Sequence, residues 1–458
     1  MENQLEVGLS TAPITTPLET FAPIQTIVTT LGFSSLEAPF FNALLTMERV
    51  RRQLGITRGK INWRFVSTWI PQKPTENPIK VQQALREKGI VHFNVGHAAF
   101  AGEWDQHGRP KNKSLCELCS LDLVRGKYDF LQRRPWLTTI YQAVRNNDVY
   151  GTTLCQERNN LRRLMMGLGI IFRDEPKKML EAMTLAFHGV FERSKQNYPV
   201  DEALSLDSVK TGVKIYCQDD LVQWQEFCLL ADQAEQTILA DEIQARQDID
   251  QAENQYNFSI IKHPIIAQLM GKKIRIILVH SDAVTVAKLT RTWRKKKIQG
   301  EKKSIPPYDL TIVVQSTGNF QIFSSTLNQL GGKDAITGKR GVVGKWRFNL
   351  GPIAKSLRLA EANLSYPCPD RESDDWDQSG MVYYENGWAC PLYLTEFLAA
   401  ILNGSLSAPD VPPTKIPHDK ILMMVSEFLP TCPLLREDPQ GKWHRVIFTP
   451  DGHWQWAK

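Results

Sequence analysis

The sequence predicts an α/β protein: a mainly parallel sheet with helices on both faces, a helical extension with a long connecting helix, and a second, smaller α/β domain. Three observations predict it. Between Ile24 and Val95 short apolar runs alternate with amphipathic stretches, the pattern of βαβ units. From Leu115 to Glu192 the apolar residues keep a helical period almost without interruption. At Gly271, after a long polar helix, the alternation resumes with a new strand.

Residues 1–22 mix Thr, Pro and Ser without a period and are expected to be an irregular lead-in. Residues 23–218 form the first domain. Its strands are expected at Ile24–Thr30, Trp63–Trp69 and Ile90–Val95, with helices over Leu36–Leu54 and Lys80–Lys88 between them. The helical extension shows apolar stripes such as Trp136, Ile140 and Val144, then Leu161, Leu164 and Leu168, then Met179, Met183 and Phe187, all expected in a core. A connecting helix, 219–256, carries Leu221, Trp224, Phe227, Ala231, Ala234 and Ile238 on one face and many acids on the other, which are expected to face solvent. Residues 257–458 form the second domain. Here the sequence predicts a strand ending at His280, a helix over Ala283–Arg294, a basic polar loop over Lys295–Ser304 and a hairpin turning at Thr317, Gly318 and Asn319. A Gly-rich basic loop from Gly331 to Gly344, a helix over Gly351–Ala362 and a terminal aromatic hairpin turning at Asp451 and Gly452 complete it.

At 458 residues and 42% hydrophobic, the chain can bury two or three cores. Eight cysteines at irregular spacing suggest reduced, buried thiols and a cytoplasmic protein. The start, M-E-N-Q-L-E-V-G-L-S, lacks a basic stretch followed by an apolar core, and no run of about 18 apolar residues occurs. No membrane partner is expected. A net charge of +6 admits an anionic partner but is too small for a protein that coats nucleic acid.

In a parallel sheet, ligands sit off the carboxyl ends of the strands. Polar residues gather there: Thr29, Thr30, Ser34, Ser35 and Glu37 after the first strand, Asn94 at the end of the third, then Asp105 and His107, and later Asp148. Carboxylates with an imidazole suit hard divalent ions such as Mn²⁺ or Mg²⁺.

The stretches I-V-T-T-L-G-F-S-S-L-E, V-H-F-N-V-G, F-A-G-E-W-D-Q-H-G, C-E-L-C-S-L-D-L-V and N-N-D-V-Y-G, in that order, resemble the DHH phosphoesterase superfamily. Within it the likeness is to the melanocyte-proliferating-gene family of metal-dependent exonucleases. The resemblance implies a two-ion phosphoesterase pocket in which the metals activate water and draw charge from phosphoryl oxygens. Asp105 and His107 match the outer positions of the D-H-H motif, with Gln106 at its middle, and Asp148 matches the carboxylate of a later D-N-G. Thr30 and Ser35 stand where the family has histidines, Glu37 where it has an aspartate, and Asn94 where it has the aspartate of D-V-G-G. The resemblance thus implies Asp105, His107 and Asp148 as catalytic and metal-binding residues, Glu37 as a further ligand, and Thr30, Ser35, Asn94 and Gln106 as pocket residues. Two divalent ions carry four positive charges, which Asp105, Asp148 and Glu37 offset only in part. The expected cofactor is one Mn²⁺ or Mg²⁺, or none, in a pocket that binds a nucleotide or single-stranded nucleic acid with weak or no hydrolysis. Two alternatives stay open: an active Mn²⁺-dependent phosphodiesterase or exonuclease, and a scaffold binding a protein partner through the acidic helix and the terminal hairpin.

Arg291, Arg294, Lys295, Lys296 and Lys297, with Lys333, Lys339, Arg340 and Lys345 of the Gly-rich segment, are expected to bind phosphate. Trp293 and Trp346 lie among them and could stack on bases. Cys116 and Cys119 form C-x-x-C without a second pair at zinc-ribbon distance, so buried thiols are expected. His188 and His280 stand beside apolar stretches and are expected to be structural.

Overall fold

The computed structural model describes residues 22–30, 36–56, 60–73, 75–95, 120–132, 134–150, 159–218, 220–270, 273–292, 294–298, 301–327, 346–365, 374–384, 386–395, 398–405, 408–437, 443–448 and 454–456. The architecture is mixed α/β. Its amino-terminal sheet consists of β1 (Thr26–Thr30), β2 (Asn62–Val66) and β3 (Ile90–His92) in the order β2-β1-β3, with both pairings parallel. The crossovers run through α1 (Glu37–Leu44) and α2 (Glu48–Gln53), and then α3 (Pro78–Glu87). The helix expected over 36–54 is broken because the Thr46 hydroxyl bonds back to the Ala43 carbonyl at 2.8 Å and Met47 takes an extended conformation.

The helical extension comprises α4 (Ser120–Lys127), α5 (Pro135–Tyr150), α6 (Leu161–Ile171), α7 (Pro176–Lys195), α8 (Val200–Ala203) and α9 (Leu206–Cys217). Its apolar period is punctuated more often than the sequence suggested. Pro135 and Pro176 occupy first positions of helices, where proline lacks no needed donor, and Asn160 caps α6 by accepting from the amides of Arg162 and Arg163 at 3.1 Å. One core joins these helices to β1 and β3. Phe41 stacks on Phe93 at 4.6 Å, and Phe40 meets Phe187 and Phe191 edge-on at 5.4 and 5.8 Å.

The long helix α10 (Leu221–Asn254) serves two cores. Phe227, Ala231 and Ala234 pack on the helical extension, whereas Ala245, Ile249 and Ala252 pack on a second sheet. Its acids do not merely face solvent, as expected. Glu242 pairs with Arg163 of α6 at 2.6 Å, Glu235 accepts from Asn159, and Glu253 accepts from the Tyr308 hydroxyl at 2.9 Å.

The carboxyl-terminal half contains, in chain order, β4 (Phe258–Ile261), α11 (Pro264–Met270), β5 (Ile274–His280), α12 (Val286–Thr290), β6 (Arg294–Ile298), β7 (Glu301–Ile305), β8 (Leu310–Val314) and β9 (Phe320–Ser324). Then follow β10 (Trp346–Phe348), α13 (Gly351–Ser365), β11 (Tyr393–Leu394), β12 (Ala400–Leu402), α14 (His418–Phe428), β13 (Leu434–Glu437), β14 (Trp443–Phe448) and β15 (Trp454–Trp456). A six-stranded sheet runs β11-β12-β9-β8-β5-β4, parallel only between β5 and β8, and a four-stranded antiparallel sheet runs β10-β13-β14-β15. Parallel pairing therefore dominates the first sheet but not the second. The hairpins expected at Gly318 and at the carboxyl end are present as β8–β9 and β14–β15, with Gly318 at φ 85°. The helix expected over 283–294 is confined to α12, and the expected basic loop is the strand pair β6–β7. Hydroxyls end α12: Thr290 bonds back to the Val286 and Ala287 carbonyls, and Thr292 to that of Leu289.

Among the described residues Cys217, Cys228, Cys390 and Cys432 are free thiols, and burial pushes the Cys432 thiol up to about 12. No helix among them is long and apolar enough to cross a membrane.

Candidate functional site

The carboxyl edge of the parallel sheet is built from the ends of β1 and β3. Val28 pairs with His92, and the Phe93 amide donates to the Val28 carbonyl at 2.8 Å. Thr30 is the last residue of β1, and Asn94 lies two residues beyond the end of β3, so these two expected pocket residues follow the carboxyl ends of neighbouring parallel strands. Asn94 has φ 51°, a left-handed conformation that asparagine tolerates better than most residues, and the chain turns away from the sheet there. Thr29 and Thr30 are buried, and the Thr29 hydroxyl has no hydrogen-bond partner among the described residues. An orphaned buried hydroxyl at a strand end is an available donor for a ligand oxygen.

Glu37, the first residue of α1, is fully buried. Its Oε1 accepts the Leu121 amide in the first turn of α4 at 3.1 Å. The carboxylate thus lies at the amino ends of two helices, whose partial positive charge offsets part of its own. The Glu-for-Asp position of the resemblance is here a helix cap joining α1 to α4.

Asp148 sits in the last turn of α5. Its charge acts on Arg162 of α6, whose pKa is lowered by burial and raised in part by Asp148. The same guanidinium donates from Nη1 to Asn147 Oδ1 at 2.8 Å. A cation bound at Asp148 would have to share that carboxylate with Arg162. Among the described residues no group of three or more His, Cys, Asp or Glu side chains is placed to hold a metal ion. Ser35, Asp105, Gln106 and His107 lie outside the described residues, as do Ser34, Cys116, Cys119, Trp293, Lys333, Lys339, Arg340 and Lys345.

Of the expected phosphate-binding set, Arg291 is anchored: its Nε donates to the Ala287 carbonyl at 2.6 Å and its guanidinium lies 5.5 Å from the centre of the Phe323 ring. Arg294, Lys295, Lys296 and Lys297 lie on β6. Trp346 is a core residue under Arg436, 5.1 Å from the ring centre, rather than a free stacking surface. His188 is structural as expected, buried and stacked on Tyr216, and His280 at the end of β5 lies 5.9 Å from His418 between ring centroids.

No protein-family model, curated protein or solved structure matches the chain. The site therefore rests on its own chemistry. One feature that sequence reasoning missed is a cleft of about 610 Å³ between α4 and α5, lined by Asp122, Arg125, Asp129, Tyr141, Gln142 and Arg145. Asp122 of α4 accepts from Arg145 Nε at 3.0 and 3.2 Å and from the Tyr141 hydroxyl, both on α5. Arg125 pairs with Asp129 at 3.6 Å and faces the Tyr141 ring. Two arginines against two aspartates balance, so the cleft braces α4 on α5 rather than attracting an ion. The i, i+4 spacing of Tyr141 and Arg145 was a readable signal, but nothing local pairs them with Asp122.

Proposed function

We propose that the chain is a DHH-phosphoesterase-like protein that binds a nucleotide or single-stranded nucleic acid at the carboxyl edge of β1 and β3, with weak or no hydrolysis. The observation that carries this reading is the neutral character of that edge. Thr30 supplies a hydroxyl where the resembled family carries a histidine and Asn94 an amide where it carries an aspartate, Thr29 beside Thr30 adds a buried hydroxyl, and Glu37 is engaged by the α4 amino end. Neutral donors accept a phosphate without repelling it, whereas two divalent ions need several more anionic ligands. Asp105, His107 and Asp148 are the proposed ligands of one ion at most.

The reading is tested with purified protein, labelled single-stranded oligonucleotides and mononucleotides, with and without Mn²⁺, against Asp105→Ala/His107→Ala and Asn94→Asp variants. Binding that weakens with salt, with turnover no greater than in the double variant, is expected. Placing a carboxylate at the edge in Asn94→Asp is expected to weaken binding roughly tenfold or more. Turnover that disappears in the double variant would establish an active metal-dependent phosphodiesterase instead. Absence of both binding and turnover would leave the scaffold reading.

A further inference from the structure

The crossover from β5 to β8 carries a second feature suited to anions, separate from the β1–β3 edge. Between Arg291 and Ile305 the sequence has seven cationic side chains, Arg291, Arg294, Lys295, Lys296, Lys297, Lys302 and Lys303, and one carboxylate, Glu301. The structure folds this stretch into the antiparallel ribbon β6–β7, a two-stranded sheet of its own. The register sets Lys296 opposite Lys303, Lys297 opposite Lys302 and Lys295 opposite Ser304. Because successive residues of a strand alternate between faces, Lys295, Lys297, Lys302 and Ser304 share one face, which carries neither an acid nor an apolar residue.

Like charges directly opposite each other destabilise an antiparallel pair, and an isolated two-stranded hairpin is marginal in water. A polyanion laid along the lysine face relieves both costs. The ribbon is also firmly rooted. Its base closes where the Tyr308 amide donates to the Thr290 carbonyl at 2.9 Å, after the stiff pair Pro306–Pro307. Tyr308 is buried, bonds Glu253 of α10 and lies beneath the Arg275 guanidinium, 4.3 Å from its ring centre.

We propose that the β6–β7 ribbon is a nucleic-acid arm in which Lys295, Lys297 and Lys302 hold backbone phosphates without reading sequence. A nucleic acid suits this surface better than a lipid surface, because membrane-seated basic elements pair their cations with apolar residues and this face has none. A two-stranded ribbon also fits a nucleic-acid groove, the duplex major groove being roughly 12 Å wide. This inference does not depend on the edge of β1 and β3 binding a ligand.

The test compares the full chain with the Lys295→Gln/Lys297→Gln/Lys302→Gln variant and with the corresponding triple Lys→Arg variant. Affinity for short single-stranded and duplex oligonucleotides is followed by anisotropy between about 50 and about 200 mM salt. The glutamine variant is expected to lose roughly tenfold or more in affinity, and its log-affinity against log-salt slope to shrink by about 2 to 3, at about 0.7 to 0.9 per lost phosphate contact. The arginine variant is expected to keep both. Melting of the glutamine variant should be no lower than that of the parent, since the removed charges repel one another, and its mononucleotide affinity should equal that of the parent, which separates the ribbon from the strand-end pocket. Equal oligonucleotide affinity and slope in parent and glutamine variant would overturn the proposal. So would a parent that binds anionic vesicles, or itself, through these lysines while ignoring oligonucleotides.

Discussion

His188 is kept neutral by its surroundings. It lies in α7, buried, with its ring stacked on Tyr216 of α9 at 4.2 Å and 3° between planes, and edge-on to Phe191 at 6.1 Å. Burial, aided by the like charge of Lys195, pushes its pKa down to about 4. The unfolded chain takes up this proton below about pH 6.5, whereas the folded chain does so only near 4. The contribution of a neutral His188 to stability is therefore complete above about 6.5 and is lost as pH falls towards 4, by about 2 to 3 kcal/mol. Urea unfolding at pH about 7.5 and about 4.5 should show the parent losing that much more than His188→Gln, because the carboxylates titrate in both. Equal losses would place the acid sensitivity elsewhere. Arg358 of α13 shows the opposite solution for a buried cation. It stays charged because Nε, Nη1 and Nη2 donate to the carbonyls of Leu392, Trp376, Gln378 and Gly380 at 2.7 to 3.1 Å, fixing the chain around the 3-10 turn Asp374–Asp377.

Among the elements, α7 and α9 make a very close crossing, and two glycines permit it. A methyl group on Gly212 would lie 2.0 Å from the Gly189 carbonyl oxygen, and one on Gly189 would lie 2.6 Å from that of Val209. The obstructing atoms are backbone, which cannot swing aside, so the helices must separate. Gly212→Ala is expected to cost about 3 kcal/mol and to lower Tm by several degrees in calorimetry. Gly126 of α4 is the control: a methyl group there meets nothing within 4 Å, so Gly126→Ala should stabilise the helix by about 0.5 to 1 kcal/mol. A neutral Gly212→Ala would show that the crossing has slack.

Across the described residues, α10 and hydrogen bonds made after β2 join the halves. Asp241 accepts from the amides of Val284 and Thr285 at 2.9 and 3.0 Å and from the Thr285 hydroxyl at 2.6 Å, so a carboxylate on α10 holds the start of α12. After β2, Lys73 donates its amide to the Gly387 carbonyl at 2.7 Å, Ala389 donates to that of Pro71 at 2.8 Å, and Ser67 bonds Asp410. With a shared helix and crossing backbone bonds, the two cores should unfold together. Asp241→Ala is expected to cost about 2 kcal/mol while denaturation stays a single transition by tryptophan fluorescence and circular dichroism. Separate transitions would show that α10 couples the halves weakly.

The positions of β1, β3, β5 and the β8–β9 hairpin, and the continuity of α10, were legible in the amino-acid order, because apolar period and turn residues act over a few neighbouring positions. That order also placed Thr30 at the carboxyl end of β1 and Asn94 just beyond β3, since strand ends follow from the apolar runs. Only packing and register made Glu37 a cap on α4, set Asp122 against Arg145, turned acids of α10 into braces and paired Lys297 with Lys302 in the β6–β7 ladder. Those outcomes depend on which distant surfaces meet and in which register. Local propensity carries no information about that, because an acid exposed on an isolated helix has the same pattern whether solvent or an arginine lies opposite it.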